Sequence, residues 1–186
     1  MKKNKACFLD RDGVLIEEVN YLSYPSQILI FENSYKALKL LRDNDYKIIV
    51  ITNQAGVARG YFKETDITVI HKEIDRFLSL KKLSIDKYYY CPHHPEGTVP
   101  EYSFECACRK PAPGLIFQAV KDFDIDLGES FLIGDKMSDI NSAKNAGCFS
   151  ILVKTGHGLE HTENAQNNNI PIKENILDAV QFYLSK

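Results

Sequence analysis

Apolar runs recur along this chain at short length, none longer than four residues, and each is followed by a helical pattern. They fall at Ala6 to Leu9, Lys47 to Ile51, Asp86 to Tyr90, Ser130 to Ile133 and Ser150 to Val153. The run Ile48-Ile49-Val50-Ile51 is β-branched and continuous, as in a strand buried on both faces. Between the runs, Ala37, Leu38 and Leu41 share a helix face behind a cap at Asn33 or Ser34. Ile67, Ile70, Ile74 and Phe77 predict a helix from about Thr65 to Leu80. Pro113 opens another, with Ile116, Ala119, Val120 and Phe123 on one side. Ser138 to Ala146 is a helix stopped by Gly147, and Asn175 to Leu184 is the last. The polar, Asn-rich stretch from Glu160 to Asn169 reads as a solvated loop. Strand–helix alternation predicts an α/β fold, a Rossmann-like three-layer arrangement around a central parallel sheet. No repeat or linker interrupts the 186 residues, so residues 1–186 read as one domain.

Composition removes several classes of function. With 23 basic and 25 acidic residues and a net charge of -2, the chain lacks the basic excess of a nucleic-acid binder. A membrane helix needs about 20 apolar residues, and nothing here approaches that. Met1-Lys2-Lys3-Asn4-Lys5 is basic but no apolar segment follows, so it does not read as a signal peptide. The expectation is a cytoplasmic protein with no membrane partner.

In open α/β sheets ligands bind beyond the carboxyl ends of the strands. Those ends carry Asp10-Arg11-Asp12-Gly13, Thr52-Asn53-Gln54 and Gly134-Asp135. Two carboxylates held together repel unless a cation or shared proton intervenes. A hard divalent ion such as Mg²⁺ suits Asp10 and Asp12, with Asp135 as a third acidic ligand. Taken alone, Asp-x-Asp-Gly is equally a turn. The order Asp10/Asp12, Thr52, Lys110, Asp135 argues for more. A receiver-type signalling domain uses similar residues in a different order. No G-x-x-x-x-G-K-[ST] loop occurs, and Gly156-His157-Gly158 lacks the third glycine of a dinucleotide fingerprint.

These residues carry a family resemblance. Phe8-Leu9-Asp10-Arg11-Asp12-Gly13-Val14 resembles motif I of the haloacid dehalogenase-like phosphatases. Ile51-Thr52-Asn53-Gln54 resembles motif II, Arg109-Lys110-Pro111 motif III, and Gly134-Asp135-Lys136-Met137-Ser138-Asp139 motif IV. The resemblance implies two-step phosphoryl transfer. Asp10 attacks phosphorus and becomes an aspartyl phosphate. Asp12 protonates the leaving oxygen and then deprotonates water. Thr52 and Lys110 neutralise the phosphoryl oxygens. Mg²⁺ is held by Asp10, Asp135 and the backbone carbonyl of Asp12. Asp139 sits in motif IV, where it reads equally as a helix N-terminal acid. Asn53 and Lys136 either touch substrate or order the loops.

Five cysteines complete the inventory. Cys91, His93, Cys106 and Cys108 form two close pairs, a donor set suited to a closed structural Zn²⁺ site. A disulfide is the competing reading, disfavoured where thiols stay reduced. His94 is adjacent and reads as a hydrogen-bonding residue. Cys7 and Cys148 read as small core residues. The loops Cys91-Pro92-His93-His94-Pro95-Glu96-Gly97 and Cys106-Ala107-Cys108-Arg109-Lys110-Pro111 look like those of the D-glycero-D-manno-heptose 1,7-bisphosphate 7-phosphatases. The histidinol-phosphate phosphatases have a similar loop, and Thr52 to Gly60 matches both groups.

Asp10 to Thr52 leaves room for one loop and one helix, so the enzyme is expected to be capless, with a zinc-binding loop. Substrate choice then rests on Glu18, Val19, Asn20 and Tyr21, on Asn53, Gln54 and Ala55, and on Arg109 and Lys136. Arg109 adjoins Lys110, and an Arg fork suits a second phosphate. Arg59 braces its loop. Arg11 alternates with the aspartates, so it either joins the substrate contacts or points away. The implied partner is a small phosphorylated sugar and the implied state a monomer. A non-catalytic zinc-stabilised binding module is the rival of a different class.

Overall fold

A computed structural model describes residues 3–186, leaving Met1 and Lys2 of the basic start outside the described residues. Six parallel strands form one sheet in the order β3-β2-β1-β4-β5-β6. They are β1 (Ala6–Leu9), β2 (Lys47–Asn53), β3 (Lys87–Cys91), β4 (Phe131–Gly134), β5 (Phe149–Val153) and β6 (Ile172–Lys173). The helices are α1 (Glu32–Asp43), α2 (Glu64–Ser79), α3 (Gly114–Phe123), α4 (Met137–Ala146), α5 (Thr162–Asn167) and α6 (Ile176–Leu184). Among the described residues, no helix is long and apolar enough to cross a membrane.

Successive side chains of a strand point to opposite faces, and the core divides accordingly. Cys7 and Leu9 of β1 face α1, α2 and α6 through Leu38, Ile74 and Val180. Ala6 and Phe8 face α3 and α4 through Ile116, Ala119 and Ala143, together with Cys148. Both faces of the sheet are therefore covered, giving three layers. Cys7 and Cys148 are core residues, at 0% and 6% exposure.

Two expectations are corrected. The 160–169 stretch is not a loop: it holds a turn of 3₁₀ helix and α5, anchored by the buried Ala165. β6 then pairs with β5, with Leu152 opposite Ile172. Helix α1 starts earlier than its cap residues indicated, with Phe31 as N-cap. Ser34 lies inside the helix, and its hydroxyl donates 2.8 Å to the carbonyl of Leu15.

The sheet order places the site. Strand order reverses at β1, whose neighbours are β2 and β4. A crevice opens at such a switch point, beyond the carboxyl ends. Asp10 extends the β1–β4 ladder by one bond, its N–H donating 3.0 Å to Ile133 O. Asn53 pairs with Cys91 in the β2–β3 register, which sets the cysteine-rich loop beside motif II.

Candidate active site

A cavity of about 330 Å³ opens at this edge, within the range of small-molecule sites. Its lining includes Asp10, Asp12, Glu18, Asn20, Tyr21, Thr52, Ala55, Arg109, Lys110 and Lys136. Residues from several separate chain segments thus meet at one cavity.

Lys110 is the electrostatic centre. Its ammonium is 3.0 Å from Asp10 Oδ1 and 2.6 Å from Asp139 Oδ1, and donates 2.9 Å to Ile51 O. Burial disfavours its charge, but Asp10 and Asp139 more than offset this and raise its pKa. Asp10 Oδ1 also accepts from Arg11 N at 2.7 Å, so the carboxylate is fixed from two sides. Asp139 accepts from Lys136 N at 3.0 Å. It therefore closes the first turn of α4 and holds Lys110 at once.

Asp12 is held from below. Arg11 forks onto it, Nε to Oδ1 at 3.1 Å and one terminal nitrogen to Oδ2 at 2.9 Å. The same guanidinium donates to Gln54 Oε1 at 3.0 Å and lies 3.4 Å from His71 Nε2. Burial and Arg11 push the His71 pKa down to about 3, which keeps this ring neutral. Gln54 Nε2 donates to both Asp12 Oδ2 (3.0 Å) and Thr52 Oγ1 (2.9 Å). Burial raises the Asp12 pKa despite Arg11, which favours the protonated form that a general acid needs.

Of the expected substrate contacts, Arg11, Asn53 and Gln54 line the cavity while also bonding within the protein, and Val19 is not part of the lining. The Arg11 side chain is 1% exposed and engaged with Asp12, Gln54 and His71, so it positions Asp12. Gln54, 5% exposed, does the same. Asn53 clamps the backbone of Lys110, Nδ2 to O and Oδ1 to N, both at 3.0 Å. Val19 packs against the core. Polar residue types revealed their bonding capacity but not its direction.

A cation fits among the acids. Asp10, Asp135 and Asp139 offer carboxylate oxygens within 4.8 Å of one another. Asp135 Oδ1 is buried with no hydrogen-bond partner, and Oδ2 accepts from His157 N at 2.9 Å. Burial, Asp10 and Asp139 push the Asp135 pKa up to about 8. Such a reluctance to ionise is relieved by a hard divalent ion. Both Asp139 oxygens are engaged, by Lys110 and by Lys136 N, whereas the contacts of Asp10 fall on Oδ1 and Asp135 Oδ1 has no partner, which makes Asp10 and Asp135 the better ligands.

Gly13 and Gly156 both wrap Asp135. Their φ angles are +80° and +58°, and a Cβ on either would collide with Asp135 Oδ2. Gly156→Ala is therefore expected to lower stability by about 1–3 kcal/mol and to raise the Mg²⁺ concentration needed for half-maximal activity. Thermal melting and a Mg²⁺ titration of turnover check this.

The second cluster is equally compact. Cys91, Cys106 and Cys108 have Sγ–Sγ distances of 3.4, 3.2 and 3.0 Å, and His93 Nδ1 is 3.3 Å from Cys108 Sγ. All five cysteines are free thiols. Burial and the Cys108 sulfur raise the Cys91 pKa. Three crowded sulfurs and an imidazole match the donor set of tetrahedral Zn²⁺. His94 stays outside, accepting from Glu96 N at 3.1 Å and facing Arg59 at 3.4 Å. Arg59 thus braces the loop. Arg109 donates 3.2 Å to His93 O and so hangs from this cluster while lining the cavity.

Asp10, Asp12, Lys110 and Asp135, gathered at the carboxyl ends of the strands, form an arrangement suited to a phosphohydrolase of the haloacid dehalogenase type. Comparisons with known proteins agree. The family profile described as "HAD-hyrolase-like" matches residues 107–179. The chain is 48% identical over 167 residues to the D-glycero-alpha-D-manno-heptose-1,7-bisphosphate 7-phosphatase of Photorhabdus laumondii, covering 88% of this chain and 90% of that one. It is 39% identical over 175 residues to the D-glycero-beta-D-manno-heptose-1,7-bisphosphate 7-phosphatase of Pasteurella multocida, covering 94% of each. The crystal structure of D,D-heptose 1.7-bisphosphate phosphatase from B. bronchiseptica, complexed with magnesium and phosphate, superimposes with a TM-score of 0.85 at 30% identity, over 97% of this chain and 98% of that one. The chain belongs to the haloacid dehalogenase-like phosphatases, on the branch that holds these heptose-bisphosphate enzymes.

Proposed function

We propose that this phosphatase removes the 7-phosphate of D-glycero-D-manno-heptose 1,7-bisphosphate, with Mg²⁺ in the acid cluster and Zn²⁺ in the Cys/His cluster. The observation that carries the substrate is Arg109. It lines the cavity that holds Asp10, on a loop tied to His93, with further N–H donors for an anion. A monophosphate needs no such group, whereas a bisphosphate presents a second phosphate to meet it. The P. laumondii relative, named for the α anomer, is 48% identical to this chain. Its P. multocida counterpart, named for the β anomer, is 39% identical. This difference supports the α anomer as the preferred substrate.

The residues divide the chemistry between them. Asp10, fixed by Arg11 N and Lys110, attacks phosphorus in line and forms the P–O bond as the sugar oxygen leaves. Asp12 gives that oxygen its proton, and as the carboxylate then takes one from the attacking water. Lys110 and Thr52 stabilise charge on the phosphoryl oxygens. Asp10, Asp135 and the backbone carbonyl of Asp12 would hold Mg²⁺, which would supply charge neutralisation at the phosphoryl group. The product is the sugar 1-phosphate and inorganic phosphate. Free thiols support a reducing, cytoplasmic setting.

The test compares turnover of the α and β bisphosphates with histidinol phosphate. Preference for histidinol phosphate would overturn the assignment. Arg109→Ala is expected to lower kcat/KM on the bisphosphate roughly 10- to 100-fold, the worth of a charge-assisted bidentate contact. Full activity of that variant would favour the histidinol-phosphate reading instead.

A further inference from the structure

The segment from Glu18 to Tyr21 crosses the mouth of the cleft, and Glu18, Asn20 and Tyr21 all line the cavity. Asn20 and Tyr21 have φ of 47° and 61°, two consecutive non-glycine residues in the left-handed region. Such a backbone persists only where its surroundings over-determine it. The surroundings are visible on both sides.

On one side Glu18 Oε1 accepts from Asn20 N at 2.9 Å. Glu18 Oε2 lies 3.4 Å from Lys136 Nζ and 3.7 Å from His157 Nε2, which reach it from the loops after β4 and β5. On the other side the Tyr21 ring meets Tyr61 edge-on, with centroids 4.7 Å apart at 82°. Tyr61 follows β2, so this contact joins loops of different strands. Tyr21 and Tyr61 are 45% and 58% exposed. Rings so exposed bury little area, so their contact geometry, and not a core behind them, accounts for the pairing. Tyr61 itself does not line the cavity, whereas the Tyr21 ring it meets does.

We propose that Tyr61 is a positioning residue, which docks the Tyr21 ring and so holds the Glu18–Tyr21 segment as a strap against the carbon chain of the substrate. The kinetic consequence rests on the bisphosphate reading above; the mechanical one does not.

The experiment uses full-length Tyr61→Ala, Tyr61→Phe, Tyr21→Ala and the double alanine variant. Amide hydrogen exchange over residues 18–24 is followed in the free protein, and kcat and KM are measured on the heptose bisphosphate. In Tyr61→Ala, exchange of the segment is expected to quicken about three- to tenfold, the scale of one aromatic pair. KM rises by a similar factor and by more than kcat falls. Tyr61→Phe restores both, because the contact uses the ring and not the hydroxyl. The double variant loses no more than Tyr21→Ala alone, since the two residues act as one unit. Unchanged exchange in Tyr61→Ala, or additive losses, would overturn the proposal. If the wild-type protein ignores the bisphosphate, the substrate reading fails while the exchange measurements still decide the strap.

Discussion

Asp10→Asn is expected to reduce phosphate release by about 10⁴-fold or more, the scale seen when a covalent nucleophile is removed. The amide is nearly isosteric, and its oxygen still accepts from Arg11 N and Lys110, the two partners that now fix the carboxylate. It cannot, however, form the acyl phosphate. Lys110 keeps Asp139 at 2.6 Å, so no buried ammonium is left without a counter-charge. Stability should therefore change little, and the variant should melt as a folded protein with its cysteine cluster intact. Steady-state phosphate release together with circular dichroism checks both halves. Activity near wild type would refute Asp10 as the nucleophile.

The second large effect concerns zinc. Stripping the metal, or substituting Cys108→Ser, is expected to disorder the loop from Cys91 to Cys108 and to lower kcat/KM at least about 100-fold. The loss of one preorganised charge stabiliser already costs on that order, and here two residues depart together. Arg109 is tied to His93, and Lys110 follows Cys108 by only two positions. Binding free energies of about 10–16 kcal/mol for structural zinc show how much loop order one ion can supply. Most of the two apolar layers is built from residues other than the zinc ligands, with only Cys91, Cys106 and Cys108 packing into one of them, so the loss is expected to fall mainly on the loop. Metal analysis, hydrogen exchange over the loop and kinetics test this together. Verified zinc-free protein with unchanged kinetics would contradict it.

Much of the architecture could be read from residue order. Strands β1 to β5 are apolar because helices cover both faces, and that burial leaves a direct trace in the sequence. The site follows because chemistry-bearing residues stand where each run ends. Asp10, Thr52 and Asp135 converge for that reason, and the cysteine-rich loop after β3 carries Lys110 to them. What escaped has equally physical causes. α5 is anchored by a single buried residue, Ala165, too little to set a period. β6 has two residues and no pattern of its own. The amides of Asn53 and Gln54 and the guanidinium of Arg11 bond well in any direction. Only the fold shows that they turn inward, onto Lys110, Thr52 and Asp12. Gly156 and His157 reach Asp135 from a distant strand end, a closeness that exists only once β5 lies beside β4.

The absence of a cap has a kinetic side. Between Asp10 and Thr52 the chain supplies a short segment and α1, with no second domain to swing. Enzymes that close a domain over their substrate often wait on its reopening, a step of microseconds to milliseconds that limits turnover. Here product departs through a mouth framed by side chains, whose rearrangements belong to the faster picosecond-to-microsecond range. Turnover is therefore expected to follow bond making and breaking at Asp10 and not the reopening of a domain.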